Sequence, residues 1–576
     1  MTKLFAFLEN HRAKVLLVAG GISATGFAPL NWWPLTLLCL ALLMHWVARA
    51  CSGKRAFLLG WAFGVGHFTI GNNWIATAFT YQANMPVWLG WCAVPLLALY
   101  LAVYPGVAAW GAWWLKNSPP PFRGGARGGV SQPLRNTDKP HPNPSPKGEG
   151  LNLPFILFFA GCWIITEWLR ACVFTGFSWN PLSALWVDTL WSGMWLPIVG
   201  TYGMSGLLLF YTGLLAAAVP WFKYNFAAGN FQRSGSWVVI GFVALFIAPV
   251  LAVSFVPDSL IPQKSADYAK ADVALTIVQP NISQIDKYAP GYDAINFRRL
   301  AENSLSRDTK PRLILWPEAA IPWRLEDGYP YRFYQFQPGE SAEGARTMLT
   351  RLMNPGDLLL TGVDRLEFDK DRQLVGARNS MTAMDASGKI LGNYDKAHLV
   401  PYGEYLALRW LLEPLGAARL VPGDLDFWPG PGPRTLDLPF DGRRVKVGMQ
   451  ICYEIIFSGQ VVDQTHRPDF IFNPSNDAWF GGWGSPQFLA QARLRAIEEG
   501  LPVVRATPTG ISAVIDADGR VLKSLPQGIA GRIDAQLPRP KEPTLFARYG
   551  NALPMAFAAL LIAFGLMPLA RRRTSR

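Results

Sequence analysis

VKVGMQICYE spans residues 445–454, and its reading decides the fold of the C-terminal half. The apolar run VKVGMQI predicts a β-strand that leads directly into Cys452, with Tyr453-Glu454 as the start of a helix. A strand-to-helix elbow suits a nucleophile. There a helix N-terminus favours the thiolate, lowering a free pKa of about 8.5, and backbone N–H groups can receive an oxyanion. A Cys beside a strand is nonetheless more often simple core packing.

Runs of the same kind surround this one: VALTIVQ (273–279), RLILWPE (312–318), DLLLTGV (357–363), DFIFNPS (469–475), LPVVRAT (501–507) and ISAVIDADG (511–519). All read as strands closed by turn residues. Between them SPQFLAQARLRAIEEG (485–500) has helical spacing and a Gly500 stop, so the segment is an α/β domain. Glu318 ends an apolar strand and faces the Pro-bounded loop Ala319–Pro322, where a carboxylate serves either as a general base or as a plain cap. Lys396 lies in GNYDKAHLVPYGEY (392–405), too dense in aromatics and charges for a simple connector. By itself it reads as a solvated lysine.

The rest of the 576-residue chain is of another kind. Half of the chain is hydrophobic and 16% is charged, too apolar for an ordinary soluble pair of domains. Apolar stretches long enough for a bilayer core occur near 13–29, 31–50, 56–79, 86–115, 152–175, 193–221, 236–256 and 548–570. Trp residues gather at their ends, as in Asn31-Trp32-Trp33. Lys and Arg alternate from loop to loop: the segments holding Lys3 to Lys14, Arg49 to Arg55, Lys116 to Lys147, Lys223 to Arg233 and Arg571 to Arg576 are basic. The loops at 80–85 and 175–193 have neither residue.

The positive-inside rule therefore predicts cytoplasmic termini, a seven-span transmembrane domain over 1–256, a periplasmic domain over 257–547, and a last span with a basic tail over 548–576. The Pro-, Gly- and Arg-rich insert 117–150 cannot bury enough surface to order itself and is expected to be a disordered cytoplasmic loop. The net charge of +13 follows this topology and forms no aromatic-interleaved patch, which argues against nucleic acid as a partner. Six His and six Cys show no metal-ligand spacing, and no metal or cofactor is implied. Glu167 and Arg170, one helical turn apart, are expected to form a local ion pair.

WPEAAIP, YDKAHLVPYGE and VGMQICYE occur in that order within one α/β domain, and this ordered set resembles the nitrilase superfamily over about 272–540. The resemblance implies a four-layer αββα sandwich with Glu318 as general base, Cys452 as nucleophile and Lys396 as stabiliser of the tetrahedral oxyanion. With spans on both sides, nearly the whole chain looks like the apolipoprotein N-acyltransferase family, from which only the 117–150 insert departs. That resemblance implies a bacterial inner-membrane enzyme with a phospholipid acyl donor, a diacylated apolipoprotein acceptor and a thioester intermediate. It also singles out Glu404, Glu454, Tyr453, Trp479 and Trp179 as supporting residues, the carboxylates bracing the site and the aromatics touching the acyl chain or a lid. Against these stand plainer readings, a helix-start preference for Glu454 and headgroup-layer anchoring for the two Trp residues. A membrane-anchored amidase and a non-catalytic binding module remain as alternatives.

Overall fold

The computed structural model describes residues 9–81, 86–117, 151–227, 270–415, 420 and 426–574. The expected span at 236–256 and the insert from 118 to 150 lie outside the described residues. The N-terminal half is helical: α1 (Arg12–Ser23), α2 (Trp33–Ala48), α3 (Gly53–Gly71), α4 (Trp88–Leu101), α5 (Val103–Asn117), α6 (Leu153–Cys172) and α7 (Leu190–Ala227). Among the described residues three stretches are long and apolar enough to cross a membrane, Trp88–Asn117, Leu153–Cys172 and Trp191–Ala218. Trp33–Ala48 and Ala552–Met567 are shorter apolar helices.

Small residues set how closely these helices pack. A Cβ on Gly20 of α1 would sit 1.9 Å from the Phe63 carbonyl oxygen of α3, so the two backbones touch where any larger residue would separate them. Gly200 breaks α7 with φ of 65°, and a Cβ there would meet the Phe546 ring at 2.2 Å. Phe546 belongs to the short helix Leu545–Tyr549 that precedes the last helix, Ala552–Thr574, so the break seats the approach to that helix.

The α/β domain contains two six-stranded sheets. The first has the order β12 (Gly531–Pro538), β1 (Lys270–Gln279), β2 (Arg312–Leu315), β3 (Leu358–Phe368), β4 (Leu374–Asp385), β5 (Ile390–Asp395). The second runs β11 (Val521–Leu525), β10 (Ser512–Ile515), β9 (Val503–Ala506), β8 (Phe470–Pro474), β7 (Arg443–Met449), β6 (Thr435–Phe440). In each, three parallel strands form the centre and antiparallel strands flank them; Leu275 pairs Leu313 and Leu313 pairs Leu358, as Val447 pairs Phe470 and Ile471 pairs Val503.

The two-residue period of a strand divides the side chains between two layers. Leu275, Leu313, Leu358 and Leu360 join Val447, Phe470 and Val504 in a core between the sheets. Val278, Ile314 and Leu359 face outward and pack with Leu300 of α8 (Asp293–Ser304) and Leu349 of α9 (Ala342–Thr350). On the other side α10 (Gly481–Glu499) covers the second sheet, which completes the four-layer αββα sandwich.

That last helix belongs to both halves of the protein. Phe488, Ala492 and Ala496 of α10 pack with the sheet core, whereas Ala490, Leu494 and Ile497 pack with the membrane helices. Its end holds a polar joint. Arg495 and Glu498 lie 2.8 Å apart, out of hydrogen-bond alignment and almost wholly buried. Glu498 accepts from the Thr201 backbone N–H at 2.5 Å and from the Ser458 hydroxyl at 2.8 Å, and Arg495 donates to the Ile456 carbonyl and the Thr201 hydroxyl. The Gly200 break thus delivers Thr201 to the catalytic domain. Replacing Arg495 with Met strands a buried carboxylate, and the chain should lose about 3–5 kcal/mol of stability. Thermal unfolding in detergent checks this; an unchanged midpoint would show that the joint holds no weight.

Candidate active site

The carboxyl ends of β2, β5, β7 and β8 converge, so each side chain of the site stands where a strand releases its chain. Glu318 follows β2 and Lys396 follows β5 directly. The Lys396 ammonium is 3.3 Å from Glu318 Oε1 and 3.0 Å from Glu404 Oε1, and all three groups are buried. Asn379 on β4 donates from one amide nitrogen to both carboxylates, at 2.7 Å and 2.8 Å. The second oxygen of Glu318 accepts the Asn476 backbone N–H at 2.7 Å, and that of Glu404 accepts the Val400 N–H at 2.8 Å. Every oxygen is therefore aimed.

Cys452 opens a five-residue 3₁₀ turn, Cys452–Ile456, rather than an α-helix, and its backbone is left-handed at φ of 50°. A non-glycine residue takes that conformation at a cost, which the surrounding hydrogen bonds must offset. Asn473 of β8 donates to the carbonyls of Gln450 and Cys452, and Arg505 of β9 in turn holds Asn473 and the Asp477 carboxylate.

These surroundings overturn the expectation of a lowered thiol pKa. Burial pushes the Cys452 thiol well above its ordinary value and the Glu318 charge pushes it further, whereas Lys396 and the Ser475 hydroxyl only partly offset them. A single 3₁₀ turn offers too little dipole to reverse this. Burial would also raise Glu318, but Lys396, Asn379, Lys287 and the Asn476 N–H outweigh it and hold the carboxyl below its usual range. For Lys396, burial works against the proton, and the two carboxylates more than restore it. These shifts favour a neutral thiol beside an ionised carboxylate and an ammonium.

Glu454 ties the Cys and Lys loops together. Its Oε1 accepts from the Ala397 and His398 N–H groups and the Tyr394 hydroxyl at 2.7, 3.1 and 2.8 Å; its Oε2 accepts from the Ile451 N–H at 2.6 Å. Burial pushes this carboxyl up to about 7 against those donors. Tyr453 reaches the other way, donating to the Gly176 carbonyl at 3.0 Å. His398, stacked on Phe457 at 3.8 Å, meets the Thr175 carbonyl at 2.8 Å.

The loop they grip, 173–181, joins the membrane helices. Its Trp179 is fully buried among Trp74, Phe480 and Phe488, with its indole N–H on Gln487 Oε1 at 2.8 Å, so it braces the joint to α10 rather than anchoring in a headgroup layer. Trp479 is half-buried, edge-on to Tyr81 at 5.6 Å. Arg170 and Glu167 do pair, at 4.0 Å, and Arg170 also donates to the Phe177 and Trp179 carbonyls, which shapes this same loop. Among the described residues no three or more His, Cys, Asp or Glu gather as a metal site would need.

Residues 19–214 match the model of the apolipoprotein N-acyltransferase N-terminal domain, and 275–541 match the carbon-nitrogen hydrolase model. The apolipoprotein N-acyltransferase of Rhodopseudomonas palustris is 31% identical, over 98% of this chain and 95% of its own length. The chain belongs to the apolipoprotein N-acyltransferase family. A second relative with that name, from Bradyrhizobium diazoefficiens, is 30% identical over 98% of this chain and 96% of its own. A nitrilase-superfamily structure from Saccharomyces cerevisiae covers 49% of this chain and 94% of itself at 20% identity, with a TM-score of 0.32.

The hydrogen bonds around Glu318, Lys396 and Cys452 also bring forward partners that the motifs do not contain. Asn379, Asn473 and Arg505 escape motif reading because isolated polar residues on strands look like solvent-facing positions, and Asn476 because it sits in the loop after β8. Their burial beside hydrophobic neighbours was the available signal in ARNSMTAM and VVRA. Replacing Glu454 with Gln puts an amide donor into a cage of four donors. That should cost about 1–3 kcal/mol of stability, read as a lower thermal midpoint in detergent, while conversion to Asp should cost less.

Proposed function

We propose that this chain moves a fatty acyl group from a phospholipid to the N-terminal amine of a diacylglyceryl-cysteine apolipoprotein through a thioester on Cys452. One observation carries the reading: in a chain alignable almost end to end with the family, the one Cys of the α/β domain is buried against a carboxylate and a lysine ammonium. As the chemistry runs, Glu318 takes the thiol proton as Sγ attacks the ester carbonyl. Lys396 stabilises the tetrahedral oxyanion. Collapse breaks the ester C–O bond, and Glu318 returns the proton to the departing lysophospholipid alcohol. The lipoprotein amine then attacks the thioester, the N–C bond forms as Glu318 takes a proton from the nitrogen, the S–C bond breaks, and that proton passes to the departing sulfur to restore the thiol.

The reading extends to topology. The catalytic domain, 257–547, is periplasmic and both termini are cytoplasmic, with eight spans in a bacterial inner membrane and 117–150 as a cytoplasmic loop. The alternation of basic and bare loops supports this, as do the three long apolar helices and the membrane-facing side of α10. Glu404 and Glu454 brace the site, Tyr453 and Trp179 hold it against the membrane loop, and Trp479 packs against Tyr81. A site closed to water protects a thioester until an amine arrives.

Intact-mass analysis of wild type and Cys452→Ala after incubation with phospholipid tests the assignment. A fatty-acyl adduct should form on wild type alone and should pass to the amine of a diacylated lipopeptide. Discharge only to free fatty acid would instead indicate an amidase-like hydrolase, and absence of any adduct would indicate a binding module. The pH dependence has a definite sign. Glu318, held below the usual carboxylate range, stays ionised as pH falls through that range, so single-turnover adduct formation should decline only at still lower pH. A decline centred at or above the ordinary value would contradict its role as base.

A further inference from the structure

Lys287 stands on a short helix, Gln284–Tyr288, that follows β1. The Oε1 of Gln284 on that helix accepts from the Asn476 amide at 2.8 Å, and the backbone N–H of Asn476 is the donor to Glu318 Oε2. Lys287 lies one turn beyond Gln284, on the same helix face. Lys287 is half-buried; burial lowers the pKa of its ammonium, and the carboxylates of Glu318 and Asp364 act in the opposite direction.

Charged groups act on Glu318 from several elements. Lys396 and Glu404 approach from beyond β5, Asp364 from β3, Asp477 from the turn after β8, and Cys452 from the 3₁₀ turn. Asp477 is paired with Arg505 at 3.0 Å. Lys396 pairs with both Glu318 and Glu404, while burial raises the carboxyl of half-buried Asp364 and Arg324 and Lys287 work to lower it. We propose that Lys287 is a second cation of the reaction centre, a positioning residue that keeps Glu318 charged and ready to take the Cys452 proton. This rests on the reading of Glu318 as base and Cys452 as nucleophile.

The test is single-turnover acylation of the full chain in detergent by phosphatidylethanolamine, followed by intact mass across pH. In Lys287→Met the acid limb should move up by about one pH unit, so that the rate on that limb falls about tenfold. The half-saturating phospholipid concentration should stay unchanged. Lys287→Arg should restore the wild-type limb. Asp364→Asn removes a facing negative charge and should move the limb the opposite way, which tests the same network if Lys287→Met does not fold. A limb unmoved in Lys287→Met, with only a lower plateau, would reduce Lys287 to a structural part and overturn the proposal. So would an unmoved limb in Asp364→Asn when Lys287→Met is not obtained. Failure of the parent reading is separable: Glu318→Gln would then retain the wild-type acid limb.

Discussion

A lysine ammonium sealed from water between two carboxylates governs this active site. Lys396 is 1% exposed, and an isolated ammonium there would shed its proton. Glu318 and Glu404 keep it charged, and it keeps Glu318 ionised in return. Asn379, serving both carboxylates, fixes the spacing between them. Such a group is costly to break, because removing one member leaves the others buried without compensation. The backbone around it is correspondingly constrained, with strand ends on three sides and a left-handed Cys452 on the fourth.

The second organising feature is the joint between sandwich and membrane helices. The catalytic loops do not merely sit near the bilayer-facing half. Tyr453 and His398 bond to main-chain carbonyls at Gly176 and Thr175, and Trp179 fills a pocket of aromatic rings beside α10. The residue next to Cys452 and the residue two places past Lys396 therefore both take their positions from a membrane-domain loop. Lipid-facing and chemical parts are built as one object.

Much of this was legible in the sequence, for physical reasons that differ by residue. The central strands β1, β2, β3, β7, β8 and β9 are short apolar runs, and burial on both faces leaves that composition no other reading. Strands β4, β5, β6, β11 and β12 mix polar and apolar residues, as in LVGARNSMTAMD, and only pairing with neighbours makes them strands. The ordered motifs around Glu318, Lys396 and Cys452 pointed to a common site, which the strand ends assemble. The thiol's electrostatic state was misread because a sequence shows a turn after a strand but neither its length nor how deeply it is buried. Trp179 was equally ambiguous on paper, since an indole at a membrane edge and an indole in a sealed joint have the same neighbours in the chain. Lys287 gave no local signal at all; its part depends on a contact between Gln284 and Asn476, 192 positions apart.

The two-faced helix α10 sets a limit on dissection. Its Ala490, Leu494 and Ile497 are buried by membrane helices, so a chain trimmed to the sandwich would carry a greasy strip on its surface beside the orphaned Arg495–Glu498 pair. Exposed patches of that kind drive self-association. A water-soluble version of this enzyme is therefore a redesign problem, in which that strip must be repainted with polar residues, and not a matter of choosing where to cut.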